Sequence, residues 1–218
     1  MALISEENRK IIVKEFQEHL KNPVELKVFT DSKENCAYCE PTVEIARELS
    51  ELDSRIELKV YDRNADADEV KREGITKFPT VIVTDGKGLG NRIRYSGIPS
   101  GYEFSSLFED IKAVSSGDVE VPEKVKEAIK NIDRPVEIKV YVTPTCPYCP
   151  RAVGTAHKFA MLNSNITGEM IEATEFGEEA SAAGVSSVPH IVINGEASFV
   201  GARSDVDFAD FILDAIKG

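Results

Sequence analysis

Pro135-Val136-Glu137-Ile138-Lys139-Val140-Tyr141, followed after four residues by Cys146-Pro147-Tyr148-Cys149, is the second appearance of one pattern. The first is Pro23-Val24-Glu25-Leu26-Lys27-Val28-Phe29, followed by Cys36-Ala37-Tyr38-Cys39. Further on, Phe78-Pro79-Thr80 returns as Val188-Pro189-His190, and Gly74 returns as Gly184. The first cysteine and the proline lie 43 positions apart in both copies, so this region aligns without a gap at an offset of 110. The first copy has two extra residues between its apolar run and its CxxC, and six more before Gly97, the counterpart of Gly201. Internal repetition on this scale means two units of one fold. The polar stretch from Ser115 to Pro122 is the natural seam, giving units 1–116 and 117–218.

Each unit reads as α/β. A leading helix carries Ile12, Phe16 and Leu20 on one face, with Ser5 as its N-cap; in the second copy Val125, Ile129 and Ile132 form the stripe and Pro122 stands near the start. A β-branched strand follows, Val24–Phe29 or Val136–Val142. A helix then leaves the CxxC with a shared apolar face: Val43, Ala46, Leu49 and Leu52 match Val153, Ala156, Phe159 and Leu162. The next strand is Ile56–Tyr61 in one copy and near Glu169–Ala173 in the other. A short helix precedes the proline. A hairpin comes after it, Thr80–Val83 with Arg92–Ser96 or His190–Ile193 with Ala197–Val200, and then a closing helix. Asn194-Gly195 is a type I′ turn signal. Strand–helix–strand requires parallel pairing, and the hairpin adds antiparallel strands, so each unit is a central mixed sheet flanked by helices.

All four cysteines sit in CxxC pairs. Disulfide exchange needs a thiolate to attack and a second thiol close enough to resolve the mixed disulfide. Cysteines at i and i+3 on a helix's first turn meet both needs, because unpaired amides and the helix dipole favour negative charge there. Such motifs bring the first thiol from a pKa of about 8.5 into a range of roughly 3.5–7.5. Cys36 and Cys146 are therefore assigned as nucleophiles, Cys39 and Cys149 as the more enclosed resolving thiols. A zinc site is the competing reading, and with it a metal- or peptide-binding protein whose thiols never turn over. Zinc ribbons place two CxxC pairs about 15–20 residues apart; here 106 residues separate Cys39 from Cys146. Redox chemistry is preferred, with no metal and no resident cofactor. Pro79 and Pro189 begin a strand in each unit. A trans proline is allowed at a strand's first residue, and the equal cysteine–proline spacing keeps a cis bond open as the alternative.

The local charges differ between the pairs. Glu34 and Glu40 flank the first, offset in part by Lys33, whereas Thr145 precedes the second and Arg151 follows it. Like charge disfavours a thiolate and opposite charge favours it, so the second disulfide is expected to be the more oxidising. His190, next to Pro189, either lies near the Cys146–Cys149 site or, the preferred reading, is a first strand residue facing solvent; His157 and His19 are read as surface or boundary residues on helices. Tyr38 and Tyr148 either shape the rim of each site or pack. The acidic run from Asp62 to Asp68 reads as a solvated helix start.

Composition agrees with this class. The chain of 218 residues is 42% hydrophobic, enough for packed cores, and its net charge of −12 speaks against nucleic acid. No apolar run is long enough to span a bilayer, and the polar N-terminus has no signal-peptide core. No membrane association and a cytoplasmic location are expected.

These residues and their spacing resemble the thioredoxin superfamily, and the chain as a whole is similar to the archaeal and thermophile protein disulfide oxidoreductases, in which two thioredoxin-like units are fused in tandem. The resemblance implies a cytoplasmic enzyme that reduces, forms or rearranges disulfides in protein substrates and is recharged by a flavoenzyme of the thioredoxin-reductase type. It also implies cis bonds at Phe78–Pro79 and Val188–Pro189, with the backbone before each proline pairing with the substrate peptide. Cys146-Pro147-Tyr148-Cys149 is the glutaredoxin form of the motif. Glutaredoxins carry a paired glycine where this chain reads Gly201-Ala202, which leaves glutathione a doubtful partner. Thioredoxins bury a carboxylate six residues before the first cysteine; Thr30 and Val140 stand there, and no proton-transfer base is named from the sequence.

Overall fold

Val24, Leu26 and Val28 alternate with Glu25 and Lys27 in the sequence. In the computed structural model of the chain, which describes residues 3–33 and 36–217, these three are buried along one face of a strand, β1 (Val24–Thr30). Ahead of it lies α1 (Glu6–His19), started by the Ser5 hydroxyl, which accepts from the Asn8 N–H at 3.2 Å. After it come α2 (Cys39–Leu52), β2 (Ile56–Asp62), α3 (Ala67–Glu73), β3 (Thr80–Thr84), β4 (Ile93–Ser96) and α4 (Glu103–Ser116). The second repeat follows the same order: α5 (Glu123–Lys130), β5 (Val136–Val142), α6 (Cys149–Leu162), β6 (Ile166–Glu172), α7 (Gly177–Ala182), β7 (His190–Ile193), β8 (Ala197–Val200) and α8 (Asp205–Ala215).

Strands β1 and β5 are central in their repeats. Each pairs parallel with the strand reached through its helix and antiparallel with the strand after the proline. The orders are β2-β1-β3-β4 and β6-β5-β7-β8, the mixed sheets expected from the sequence. Asn194 and Gly195 both have positive φ, 52° and 72°, and the Glu196 N–H closes their turn on the Ile193 carbonyl at 3.1 Å. By their contacts the residues divide into two compact units. One comprises Met1–Asn91, Tyr95–Ile98 and Asp110–Asp118; the other comprises Arg92–Arg94, Pro99–Glu109 and Val119–Gly218. The second unit thus includes two short segments that lie upstream of the second repeat. Among the described residues no helix is long and apolar enough to cross a membrane.

The repeats solve one problem with different side chains. A helix C-terminus leaves carbonyls unpaired, and the leading helix of each repeat must be tied to the strand beyond the next helix. In the first repeat the Arg55 guanidinium donates to the Phe16 carbonyl at 3.0 Å and to the Leu20 carbonyl at 2.5 Å, held by Asp53. The counterparts of Asp53 and Arg55 are Asn163 and Asn165. Their amide groups donate to the carbonyls of Ile129 at 2.7 Å and of Ile132 at 2.8 and 2.9 Å.

Three expectations are corrected. The strand placed near Glu169–Ala173 begins at Ile166. Gly168 weakens the strand signal, since glycine packs nothing and lowers strand propensity. It is there because α6 passes directly over it: a Cβ at 168 would lie 2.8 Å from His157 Cδ2 and 2.9 Å from the Ala156 carbonyl oxygen. His157, read as a surface or boundary residue, is fully buried in that contact. His190, read as facing solvent, is 6% exposed because β7 is flanked on both sides, by Tyr141 of β5 and Val200 of β8. Its ring meets Tyr141 edge-on at 6.4 Å, and neither ring nitrogen has a hydrogen-bond partner among the described residues. Burial holds its pKa below the ordinary histidine value.

Replacing Gly168 with Ala overpacks the α6–β6 contact and is expected to lower stability by about 1–3 kcal/mol. The loss would be read as a lower urea midpoint. Gly177→Ala, where a Cβ meets nothing within 4 Å, serves as the unaffected control. A second expectation follows from His190. Protonation is harder in the folded than in the unfolded chain, so the unfolded state binds more protons below about pH 6.5 and stability falls as pH drops from there. His190→Phe should flatten that slope between about pH 6.5 and 5, as followed by denaturation at fixed pH values; an unchanged slope assigns the titration to another group.

Candidate active sites

A strand that ends, turns and enters a helix leaves the first helical amides unpaired and directed at the turn. Both CxxC pairs occupy such a turn. Cys39 and Cys149 are the first residues of α2 and α6, and Cys36 and Cys146 lie in the turn just before. The reading that put both cysteines of a pair on the first helical turn is therefore shifted by one turn, which leaves each first cysteine beyond the helix start. The Cys39 N–H closes on the Cys36 carbonyl at 3.2 Å, and the Cys146 N–H on the Thr143 carbonyl at 3.1 Å. Each pair is joined as a disulfide within its own repeat, with Cα atoms 5.4 and 5.5 Å apart. The second cysteine is the more enclosed in both: Cys36 is partly exposed and Cys39 7%, while Cys146 is 7% exposed and Cys149 fully buried. Tyr38 and Tyr148 are 46% and 70% exposed, so they form rim rather than core.

The prolines stand at the same end of each sheet. β3 runs antiparallel to β1 and begins with Thr80 opposite Phe29; β7 begins with His190 opposite Tyr141. The residues before these starts therefore lie beside the strand ends that lead into the CxxC turns. Both Phe78–Pro79 and Val188–Pro189 are cis. The carbonyls of Pro79 and Pro189 are occupied by the N–H groups of Gly97 at 2.9 Å and Gly201 at 2.8 Å, two left-handed glycines with φ of 96° and 90°. The backbone N–H and carbonyl of Phe78 and Val188 make no hydrogen bond within the described residues. The partly buried Phe78 side chain packs against the core cluster of Phe29, Ile75 and Ile82.

One group escaped the sequence reading. Asp31, five residues before Cys36, is only 6% exposed. Its backbone N–H reaches the Cys39 sulfur at 3.4 Å. Its carboxylate accepts from Arg63 Nη1 at 2.8 Å and from the Lys33 N–H at 3.1 Å. The Arg63 guanidinium lies 5.4 Å from the centre of the Phe78 ring, so one cation links the carboxylate beside Cys39 to the residue before Pro79. Counting back six residues from the cysteine lands on Thr30. Counting forward from the end of the apolar strand would have found Asp31, the first residue past β1. The second repeat has Thr143, Ala173 and Val188 at the matching places and none of this charge. Asp62 supports the same loop: it accepts from the Ser32 N–H at 2.8 Å and from the amides of Asn64 and Ala65. Hydrogen bonds from Ser32 and these amides hold its carboxyl far below the usual carboxylate range. Asp62 was read as part of a solvated helix start; it is a turn anchor. Glu34, counted among the charges near Cys36, lies outside the described residues.

A thioredoxin-domain family model matches residues 136–214. A protein disulfide oxidoreductase from Aeropyrum pernix is 35% identical, covers 99% of this chain and 94% of its own, and superposes with a TM-score of 0.90. An alkylhydroperoxide reductase protein, AhpF, from Enterococcus faecalis is 26% identical with a TM-score of 0.87, covering 95% of this chain and 98% of that one. A Bacillus subtilis protein named NADH dehydrogenase is 25% identical over 205 residues, 94% of this chain but 37% of that relative. The chain thus spans about a third of the length of the curated relatives it matches. With 35% identity sustained along nearly the whole of both chains, and two CxxC turns at the ends of matching strands, the chain belongs to the protein disulfide oxidoreductase family, as a tandem pair of thioredoxin-like units.

Proposed function

We propose that the chain exchanges dithiols for disulfides in protein substrates at both CxxC sites, with 1–116 and 117–218 as the two functional modules. The observation that carries this reading is the shared geometry of the pairs: each begins just before a helix start, its first cysteine the more accessible and its second within disulfide reach. In the reducing direction the thiolate of Cys36 or Cys146 attacks one sulfur of a substrate disulfide. A new bond joins the two sulfurs, and the other substrate sulfur leaves as a thiolate and takes up a proton. Cys39 or Cys149 then loses its proton and attacks its partner cysteine. The mixed disulfide breaks, the second substrate thiolate is released, and two electrons have passed from the enzyme dithiol to the substrate. The reverse sequence forms substrate disulfides, and a mixed disulfide attacked by another substrate thiol gives isomerisation.

Phe78, Pro79, Val188 and Pro189 form the substrate platform in this reading, through the backbone groups of Phe78 and Val188 that make no hydrogen bond among the described residues. An extended substrate segment would pair there as an added strand. A flavoenzyme of the thioredoxin-reductase type supplies electrons. The likeness to portions of longer proteins named NADH dehydrogenase and alkyl hydroperoxide reductase supports a reductase partner. A cytoplasmic location belongs to the same reading, supported by four cysteines all placed in CxxC pairs.

Cys36→Ser and Cys146→Ser are each expected to leave part of the disulfide-reducing activity, and the double variant none, measured on a model peptide disulfide with dithiothreitol as reductant. Substantial turnover by the double variant would overturn the assignment of nucleophiles. The sites should also differ. Glu40 directly follows the first pair and Asp31 lies beside it, its charge offset in part by Arg63, whereas Arg151 brings positive charge to the second. Stabilising the reduced thiolate makes a disulfide the better oxidant. Redox titration of two variants, each with one CxxC changed to SxxS, should find Cys146–Cys149 the more oxidising; the opposite order would refute the charge argument.

A further inference from the structure

The turn Ser100-Gly101-Tyr102 stands upstream of the second repeat but inside the segment Pro99–Glu109, which belongs to the second compact unit. Gly101 has φ of +61°, a conformation side chains disfavour. Space forbids a side chain there as well. A Cβ at 101 would fall within the contact distance of the Pro144 carbonyl oxygen, with the carbonyl carbon at 2.9 Å and the proline Cβ at 3.1 Å. The next amide, of Tyr102, donates to that same Pro144 oxygen at 3.0 Å, and the Glu103 N–H closes the turn on the Ser100 carbonyl at 3.2 Å.

Pro144 is two residues before Cys146 and has no N–H of its own. It sits in the short loop 143–145 between β5 and the cysteine, and the Cys146 N–H is itself bonded back to Thr143. The peptide unit gripped by Gly101 and Tyr102 is thus Pro144–Thr145, one peptide before the cysteine. We propose that the Ser100–Tyr102 turn is a positioning element for Cys146: by bearing on the Pro144 carbonyl it fixes the loop that aims the sulfur at an incoming disulfide. This rests on the reading of Cys146 as the attacking thiol. A displacement of about 1 Å at a reacting group costs as much as 100-fold in rate, and Gly101 is the one position of this turn where a methyl group forces such a displacement. Two other left-handed glycines of similar φ, Gly90 at +61° and Gly74 at +65°, have open space around the missing Cβ.

The test uses the Cys36→Ser/Cys39→Ser variant, in which only the second site turns over; its own activity reports on the nucleophile assignment. Adding Gly101→Ala should lower the rate on a model peptide disulfide by about tenfold or more and shift the Cys146–Cys149 redox equilibrium with glutathione. Adding Gly90→Ala carries the same backbone cost without the clash and should change neither. In the Cys146→Ser/Cys149→Ser background, Gly101→Ala should leave the first site's rate unchanged. An active parent whose rate and equilibrium are untouched by Gly101→Ala overturns the proposal. Should the alanine variant not fold, amide hydrogen exchange on the unaltered protein decides: the Tyr102 N–H is expected to be protected by its bond to Pro144, and exchange as fast as in an unstructured peptide overturns the proposal as well.

Discussion

Everything at the two sites depends on the point where the chain, leaving a buried strand, enters the start of α2 and of α6. A helix cannot satisfy its first N–H groups internally, and a buried strand delivers the chain to that start with no freedom to place the cysteine elsewhere. The sulfur of the first cysteine is thereby set where negative charge is favoured, while the second becomes the first helical residue and is drawn into the core. The sheets serve this arrangement. β1 and β5 are central in their repeats and almost wholly apolar on their buried faces. The strand after the proline is antiparallel to them and starts at the same edge, bringing the proline loop to the end of the strand that leads into each CxxC turn.

The repeat is conserved in geometry more than in chemistry. The carbonyls ending α1 are met by a guanidinium, those ending α5 by two carboxamides. The turn after β2 is held by Asp62, the turn after β6 by Glu172, which accepts from Thr174 and Glu175. At the first strand residue after the proline, the Thr80 hydroxyl finds Ser96 at 3.3 Å. The matching His190 lies against Val200 and Tyr141 and has no partner for its ring nitrogens among the described residues. A buried polar group without a partner costs stability, so the two copies meet the same packing demand at different cost.

The sites themselves have diverged in charge. The first has a buried carboxylate, Asp31, one strand-end from Cys39, with Arg63 bridging it to Phe78. The second substitutes Thr143, Ala173 and Val188 and instead leaves Arg151 exposed beyond Cys149. Charges in and around a site set how readily a thiolate forms and therefore the direction in which electrons flow. Two copies of one fold in one chain thus place different charges around equivalent CxxC pairs.

The repeat, the fold class and the four cysteines were legible in the sequence because they rest on local rules: alternation in β1 and β5, helical stripes in α1 and α5, an Asn-Gly turn, and two CxxC pairs each 43 residues ahead of a proline when counted from its first cysteine. Such patterns depend on neighbours along the chain, and a single sequence displays them in full. What the tertiary structure decided are matters of contact between distant segments. Gly168 weakens the strand signal and is the place where α6 crosses β6. His190 and His157 looked exposed by their chemistry and are buried because strands and helices close over them from elsewhere in the chain. Asp31 and Arg63 are 32 residues apart and meet because β1 and β2 are parallel neighbours ending at one edge. Gly101, an ordinary loop glycine by sequence, is pinned against the loop of a cysteine 45 positions downstream. Local propensity fixes which elements form. Only their packing fixes which side chain meets which, because each contact depends on two segments that the sequence presents far apart.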